Sequence, residues 1–167
     1  VMNYKLMNMT DNICKNFKCK EIYFQNTSDI TTVGDCWMHN CLFLKKFNTD
    51  DLTSLTTVGD GWLYNCQSLK DFKTDCLQNL TTVGNYWMSY CTSLKNFKTD
   101  GLTSLTTVGN CWMNKCYNLK EFNTEGLTNL TTVGNHWIRE CRNLKEFNTE
   151  GLTSLISVGD CWMIYCK

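Results

Sequence analysis

The chain has 167 residues, and its 16 basic and 16 acidic side chains cancel to a formal charge of zero. No basic tract argues for nucleic acid, no acidic tail is present, and no apolar run approaches the roughly 18 residues of a membrane span. Proline is absent and no Gly/Ser-rich linker interrupts the chain, so residues 1–167 read as a single domain.

In chain order, residues 1–28 follow the later pattern loosely. Asn12 and Asn16 stand where later turns place Trp and Cys, Cys19 where they place Leu, and Ile22 where they place Phe. This stretch is predicted to be a degenerate capping repeat. From residue 29 to 167 the register is strict. Val-Gly-x-x-Trp begins at Val33 and recurs at Val58, Val83, Val108, Val133 and Val158, a step of 25 residues that uses all 6 tryptophans. A Cys follows each Trp by four residues, from Cys41 to Cys166, and Leu44 and Phe47 begin two further columns. A period of this length held this strictly is the signature of a solenoid or array. The chain begins with Val1 and stops in mid-repeat at Cys166-Lys167, so the last turn is read as uncapped and the chain as a fragment of a longer array.

Residues 58–82 serve as a specimen turn. Asp60, equivalent to Asp35, Asn85, Asn110, Asn135 and Asp160, is read as a helix N-cap. Trp62, Leu63 and Cys66 then fall on one face of a short helical turn. Leu69-x-x-Phe72-x-Thr74 is predicted to be a short strand with all three residues inward, after which Leu77, Leu80 and Val83 step back across the core. Gly59 and its equivalents imply either a positive φ or a close backbone approach that a Cβ would block. The fold class is therefore a repeat solenoid, with one short helical turn and one short strand in each 25-residue unit. A lone unit has no partner for its apolar face; stacking supplies one.

The pattern Val58-Gly59-x-x-Trp62-Leu63-x-x-Cys66-x-x-Leu69-x-x-Phe72 resembles the BspA-like, or treponemal-type, leucine-rich repeat, and the spacing matches from residue 19 onward. Three departures stand out: Trp plus Met, Leu or Ile replaces the family's Ala-Phe, the unit has 25 residues, and Thr-Asp or Thr-Glu replaces the usual Ile-Pro. The resemblance implies a parallel β-solenoid with a surface-exposed adhesive or recognition role, and it names no ligand.

Candidate chemistry is sparse. Of the 12 cysteines, six form the ladder, and Cys14, Cys36, Cys111 and Cys161 each lie five residues before another Cys. That spacing is a weak match to a zinc site, which wants close Cys-x-x-Cys pairs; reduced thiols filling the core are the favoured reading. His39 and His136 do not recur and have no partner at a catalytic spacing. No phosphate loop, metalloprotease motif or nucleophile elbow is present. The chain is accordingly read as no enzyme, with no cofactor and no metal. The Trp column is read as core. Asn-x-Ser/Thr sequons at Asn8, Asn26, Asn79 and Asn129 would accept glycan in a secretory context, and Asn79 and Asn129 share one repeat position.

Positions that vary on a fixed scaffold are where a solenoid tunes recognition. The residues flanking each strand Phe should project from the sheet: Lys46 and Asn48, Asp71 and Lys73, Asn96 and Lys98, Glu121 and Asn123, Glu146 and Asn148. A uniform Lys column (Lys20, Lys45, Lys70, Lys95, Lys120, Lys145) precedes them, and an acidic column (Asp50, Asp75, Asp100, Glu125, Glu150) follows. The predicted function is a surface-displayed or secreted binding and adhesion module that takes a protein or glycan on this face. The alternative is a structural protein assembling head to tail through uncapped turns; an intracellular scaffold is a third reading. Neither nucleic acid nor a membrane span is expected.

Overall fold

A computed structural model describes residues 11–24 and 26–166. The Asn8 sequon and the start of the capping repeat lie outside these residues. Each turn carries two two-residue strands. One series is β1 (Glu21–Ile22), β3 (Lys46–Phe47), β5 (Asp71–Phe72), β7 (Asn96–Phe97), β9 (Glu121–Phe122) and β11 (Glu146–Phe147). The other is β2 (Thr32–Val33), β4 (Thr57–Val58), β6 (Thr82–Val83), β8 (Thr107–Val108), β10 (Thr132–Val133) and β12 (Ser157–Val158). All pairing is parallel and steps by one repeat, Phe47 on Phe72 and Val58 on Val83. The Thr-Val strands form one continuous six-stranded sheet that the residue pattern did not announce. The predicted strand at Leu69–Thr74 is present as β5, but its series is split: β1-β3-β5 and β7-β9-β11 form separate sheets, with no ladder between β5 and β7.

The predicted helical turn is absent; no helix occurs among the described residues, and hence none long and apolar enough to cross a membrane. Trp62, Leu63 and Cys66 instead sit on a corner whose backbone alternates in hand: Gly61, Leu63 and Asn65 have φ of 72°, 56° and 57°. Such φ values cost roughly 1–2 kcal/mol per non-glycine residue. Inter-turn hydrogen bonds offset this. Gly61 N and Asn65 N donate upward to Asn85 O (2.7 Å) and Ser89 O (2.8 Å), while Leu63 N donates downward to Trp37 O (3.0 Å). A helix would turn these amides along its own axis and leave successive corners without these bonds.

The predicted N-caps are corrected for the same reason. Asp35 Oδ1 accepts from Asp60 N at 2.7 Å, Asp60 Oδ1 from Asn85 N at 2.7 Å, and Asn85 Oδ1 from Asn110 N at 2.8 Å. The side chain satisfies an amide one full turn away. The adjacent glycines are explained by proximity and not by φ: a Cβ on Gly109 would lie 2.7 Å from Asn85 N and 2.7 Å from Gly84 C.

The core is built of stacked columns, with Leu, Val, Cys and Met or Leu columns packed beside an aromatic centre. Trp37, Trp62, Trp87, Trp112, Trp137 and Trp162 stack with ring centroids 5.1–5.5 Å apart and planes within 10°. The Phe column meets them edge-on. Thr49, Thr74, Thr99 and Thr124 are buried, as predicted for the strand pattern.

The ladder cysteines do more than fill space. Cys66 Sγ donates to Met38 O (3.1 Å), Cys91 Sγ to Leu63 O (3.2 Å) and Cys116 Sγ to Met88 O (3.2 Å), each accepting carbonyl belonging to the positive-φ residue of the turn below. Burial pushes the Cys116 thiol up to about 12 and Cys91 well above its ordinary 9.0. The unfolded chain therefore releases these protons first: stability is fully present below pH 9 and falls as pH rises beyond it. Urea midpoints measured at pH 8 and pH 10 should differ in that sense, and Cys91→Val should shrink the difference. The same variant should cost about 1 kcal/mol, since Leu63 O loses the thiol and keeps only the long bond from Cys66 N (3.4 Å).

Candidate recognition surface

The strand face is built by alternation. In β3, β5 and β7 the second residue, Phe, points into the core, and the first, Lys46, Asp71 or Asn96, is exposed. Two residues after each exposed position come Asn48, Lys73 and Lys98. These six line one recess of about 610 Å³ that opens over the interruption between β5 and β7. Asp50, Asp75 and Asp100 form its acidic rim. Glu121, Asn123, Glu146 and Asn148 belong to the same face but do not line the recess.

The members differ in freedom. Asn48 Oδ1 accepts from Asp50 N (2.6 Å), Asn123 Oδ1 from Glu125 N (2.7 Å) and Asn148 Oδ1 from Glu150 N (2.7 Å), so these half-buried asparagines fold back onto their own turn. They remain on the outer face, Asn48 within the recess, with that oxygen already committed. Lys73 and Lys98 occupy the same position, are exposed and make no such bond. Lys46 approaches Glu21 at 4.0 Å with both side chains largely in solvent, a pairing worth at most about 1 kcal/mol.

At the break the Phe72–Phe97 centroids stand 6.0 Å apart, close to the 5.9 Å of the paired Phe47–Phe72 level, so the aromatic column runs through it. The interruption falls at the first of three turns with Gly at the following corner. Gly101 N donates to Thr74 Oγ1 (3.3 Å), and a Cβ there would come within 2.7 Å of Asp75 Cα. Asp51 and Cys76 hold this place in the earlier turns, so the early and late turns seat differently on their neighbours.

Both Asn79 and Asn129 are exposed, yet the Nδ2 that would carry a glycan donates between turns, to Thr53 O (2.8 Å) and Thr103 O (2.7 Å).

A second variable stripe was missed. On the alternating-hand corner, His39 stacks on Tyr64 (4.7 Å), Tyr64 meets Tyr90 (5.5 Å), and Lys115 Nζ donates to Tyr90 OH at 3.0 Å. Glu140 holds Lys115 (3.9 Å), Arg139 (3.4 Å) and Arg142 (3.2 Å). Variation at positions 90, 115 and 140, beside His39 and Tyr64, was the available signal, and the reading of this segment as a helical turn did not use it.

The chain is similar to two solved leucine-rich repeat proteins. A T. pallidum protein superposes with a TM-score of 0.70 at 17% identity, over 92% of this chain and 67% of that one. One from Bacteroides ovatus superposes with a TM-score of 0.53 at 16% identity, over 92% of this chain and 45% of that one, so the chain spans less than half of it. Comparison with curated proteins gives no match. The profile of the BspA type leucine rich repeat region matches six copies across residues 52–166. With the same 25-residue unit setting its strands, its core columns and its inter-turn bonds, the chain belongs to the BspA-type leucine-rich repeat family.

Proposed function

We propose that the chain is a non-catalytic recognition module, cell-surface or secreted, that binds a protein ligand across the β3–β5–β7 face. The observation that carries this reading is the recess of about 610 Å³, in which six of the ten face residues converge. Its wall alternates cations (Lys46, Lys73, Lys98) with carboxylates (Asp50, Asp71, Asp75, Asp100). Mixed charge on a preorganised surface favours a partner with a complementary pattern and penalises mismatched ones by like-charge contact. The opposite sheet offers only Thr and Ser in its outward strand positions, with no such variation from turn to turn.

Cross-linking tests the reading. A benzophenone amino acid replacing Lys73 should give discrete protein adducts in a native extract, and the same group replacing Thr107 on the opposite sheet should not. Adducts from position 107 with none from position 73 would move the site off the strand face.

A further inference from the structure

The edge of the strand face carries a feature that the groove does not use. Lys20, Lys45, Lys70, Lys95, Lys120 and Lys145 are all exposed, one above another. Backbone bonds hold most of the column in register: Lys45 N to Lys20 O (2.6 Å), Lys70 N to Lys45 O (3.2 Å), Lys120 N to Lys95 O (2.6 Å) and Lys145 N to Lys120 O (2.8 Å). The ion pairs among the described residues use Lys46, Lys115, Arg139 and Arg142, and none of the six column lysines. Parallel strands set like charges about 4.8 Å apart, which in water costs each neighbouring pair roughly 1 kcal/mol. Every turn repeats that repulsion.

We propose that this lysine edge binds a linear anionic polysaccharide laid along the solenoid axis, centred on Lys45, Lys70 and Lys95. Three observations fix the class and the place. The acidic column from Asp50 onward lies five residues across the face, about 16 Å if extended, which is twice the Debye length of about 8 Å in physiological salt. A thin polyanion on the lysine edge escapes those carboxylates, whereas a flat anionic membrane would meet both columns together. No aromatic side chain lines the recess between Lys70 and Lys95, so the stacking platform that single-stranded nucleic acid uses is missing. That recess, of about 450 Å³, is walled by Ser93, Asn96 and Asn118 beside the two lysines and Asp71, which supplies hydrogen-bonding groups suited to sugar hydroxyls and sulfates. The column beside the lysines sets the centre: it reads Lys46, Asp71 and Asn96 in the early turns, then Glu121 and Glu146, so of the central three only Lys70 lies beside a carboxylate, whereas Lys120 and Lys145 both do.

The assignment rests on the strand face being the ligand-carrying face. The test is fluorescence anisotropy of a labelled heparin hexasaccharide with the whole chain. The triple variant Lys45→Gln/Lys70→Gln/Lys95→Gln should weaken binding on the order of tenfold, within the roughly 3- to 125-fold range of three exposed pairs at a factor of 1.4 to 5 each. Lys120→Gln/Lys145→Gln should weaken it less than about threefold, and dextran of equal length should not bind. Circular dichroism should be unchanged in both variants, because all five side chains are exposed. Equal loss in the two variants, tighter binding of oligo-dT than of heparin, or no heparin binding by the wild type would each overturn the proposal. If heparin fails while cross-links at position 73 persist, only the lysine edge is rejected; if both fail, the strand face itself is.

Discussion

Trp112→Ala is expected to destabilise the array by about 3–5 kcal/mol, the range for emptying a large aromatic site in a packed core. Trp112 lies between Trp87 at 5.1 Å and Trp137 at 5.4 Å, with Phe97 and Phe122 edge-on at 6.0 and 5.2 Å. Truncation removes contacts on both faces and both edges, and the backbone bonds above and below prevent the neighbouring turns from collapsing into the space. Stability in a solenoid is close to a sum of unit and nearest-neighbour contributions, so the damage should also uncouple the turns below from those above. Urea unfolding followed by far-UV circular dichroism should broaden or split into two steps. Trp112→Phe is the discriminating control. The buried Nε1 of Trp112 has no hydrogen-bond partner among the described residues, and phenylalanine keeps an aromatic ring while removing that unsatisfied group. It should cost far less than alanine. At the top of the stack, where Trp162 is 37% exposed, Trp162→Ala should also cost much less than Trp112→Ala.

Gly109→Ala is expected to cost roughly 3 kcal/mol, at the upper end of the range for an overpacked site, although it adds only one methyl. The added Cβ would stand 2.7 Å from Asn85 N and 2.7 Å from Gly84 C, and neither backbone atom can swing aside as a side chain would. It would also press on Asn85 Oδ1, at 2.8 Å, which accepts from Asn110 N. Gly61→Ala is the counterpart. Gly61 is the glycine with positive φ, 72°, and the usual rule would make it the sensitive one. Yet Cys36, Tyr86, Cys111 and His136 hold its place in other turns at φ of 59° to 62°, and its nearest neighbour for a Cβ is His39 Nδ1 at 3.1 Å. Gly61→Ala should therefore cost no more than about 1–2 kcal/mol. Thermal melts of the two variants decide the matter; similar losses would mean that inter-turn proximity is not what selects glycine after each Val.

The columns were legible because they depend only on spacing. Trp62, Leu69, Phe72, Thr74, Leu77, Leu80 and Val83 are buried where a 25-residue stack requires them. Corner geometry was not legible, because Trp62, Leu63 and Cys66 present the same i, i+1, i+4 pattern to a helix and to a backbone of alternating hand. The partner that separates the two is an amide one turn away, as Asp60 Oδ1 to Asn85 N shows. Two-residue strands such as Thr82–Val83 are too short to display a period, which is why the continuous sheet went unseen. On the candidate face, alternation placed Lys46, Asp71 and Asn96 outward, where they are exposed. It could not distinguish exposed Lys73 from Asn48, whose oxygen is committed to Asp50 N, nor show that the ladder stops between β5 and β7.

That stop has a mechanical meaning. The Thr-Val sheet runs unbroken past the same level, so the rod is hinged there like a book with an intact spine. Bending that opens the page side stretches a site already lacking ladder bonds, while every other level must first give some up. A ligand seated from Lys46 to Lys98 spans the hinge and would act as a clasp, so occupancy would stiffen the rod at its one compliant station.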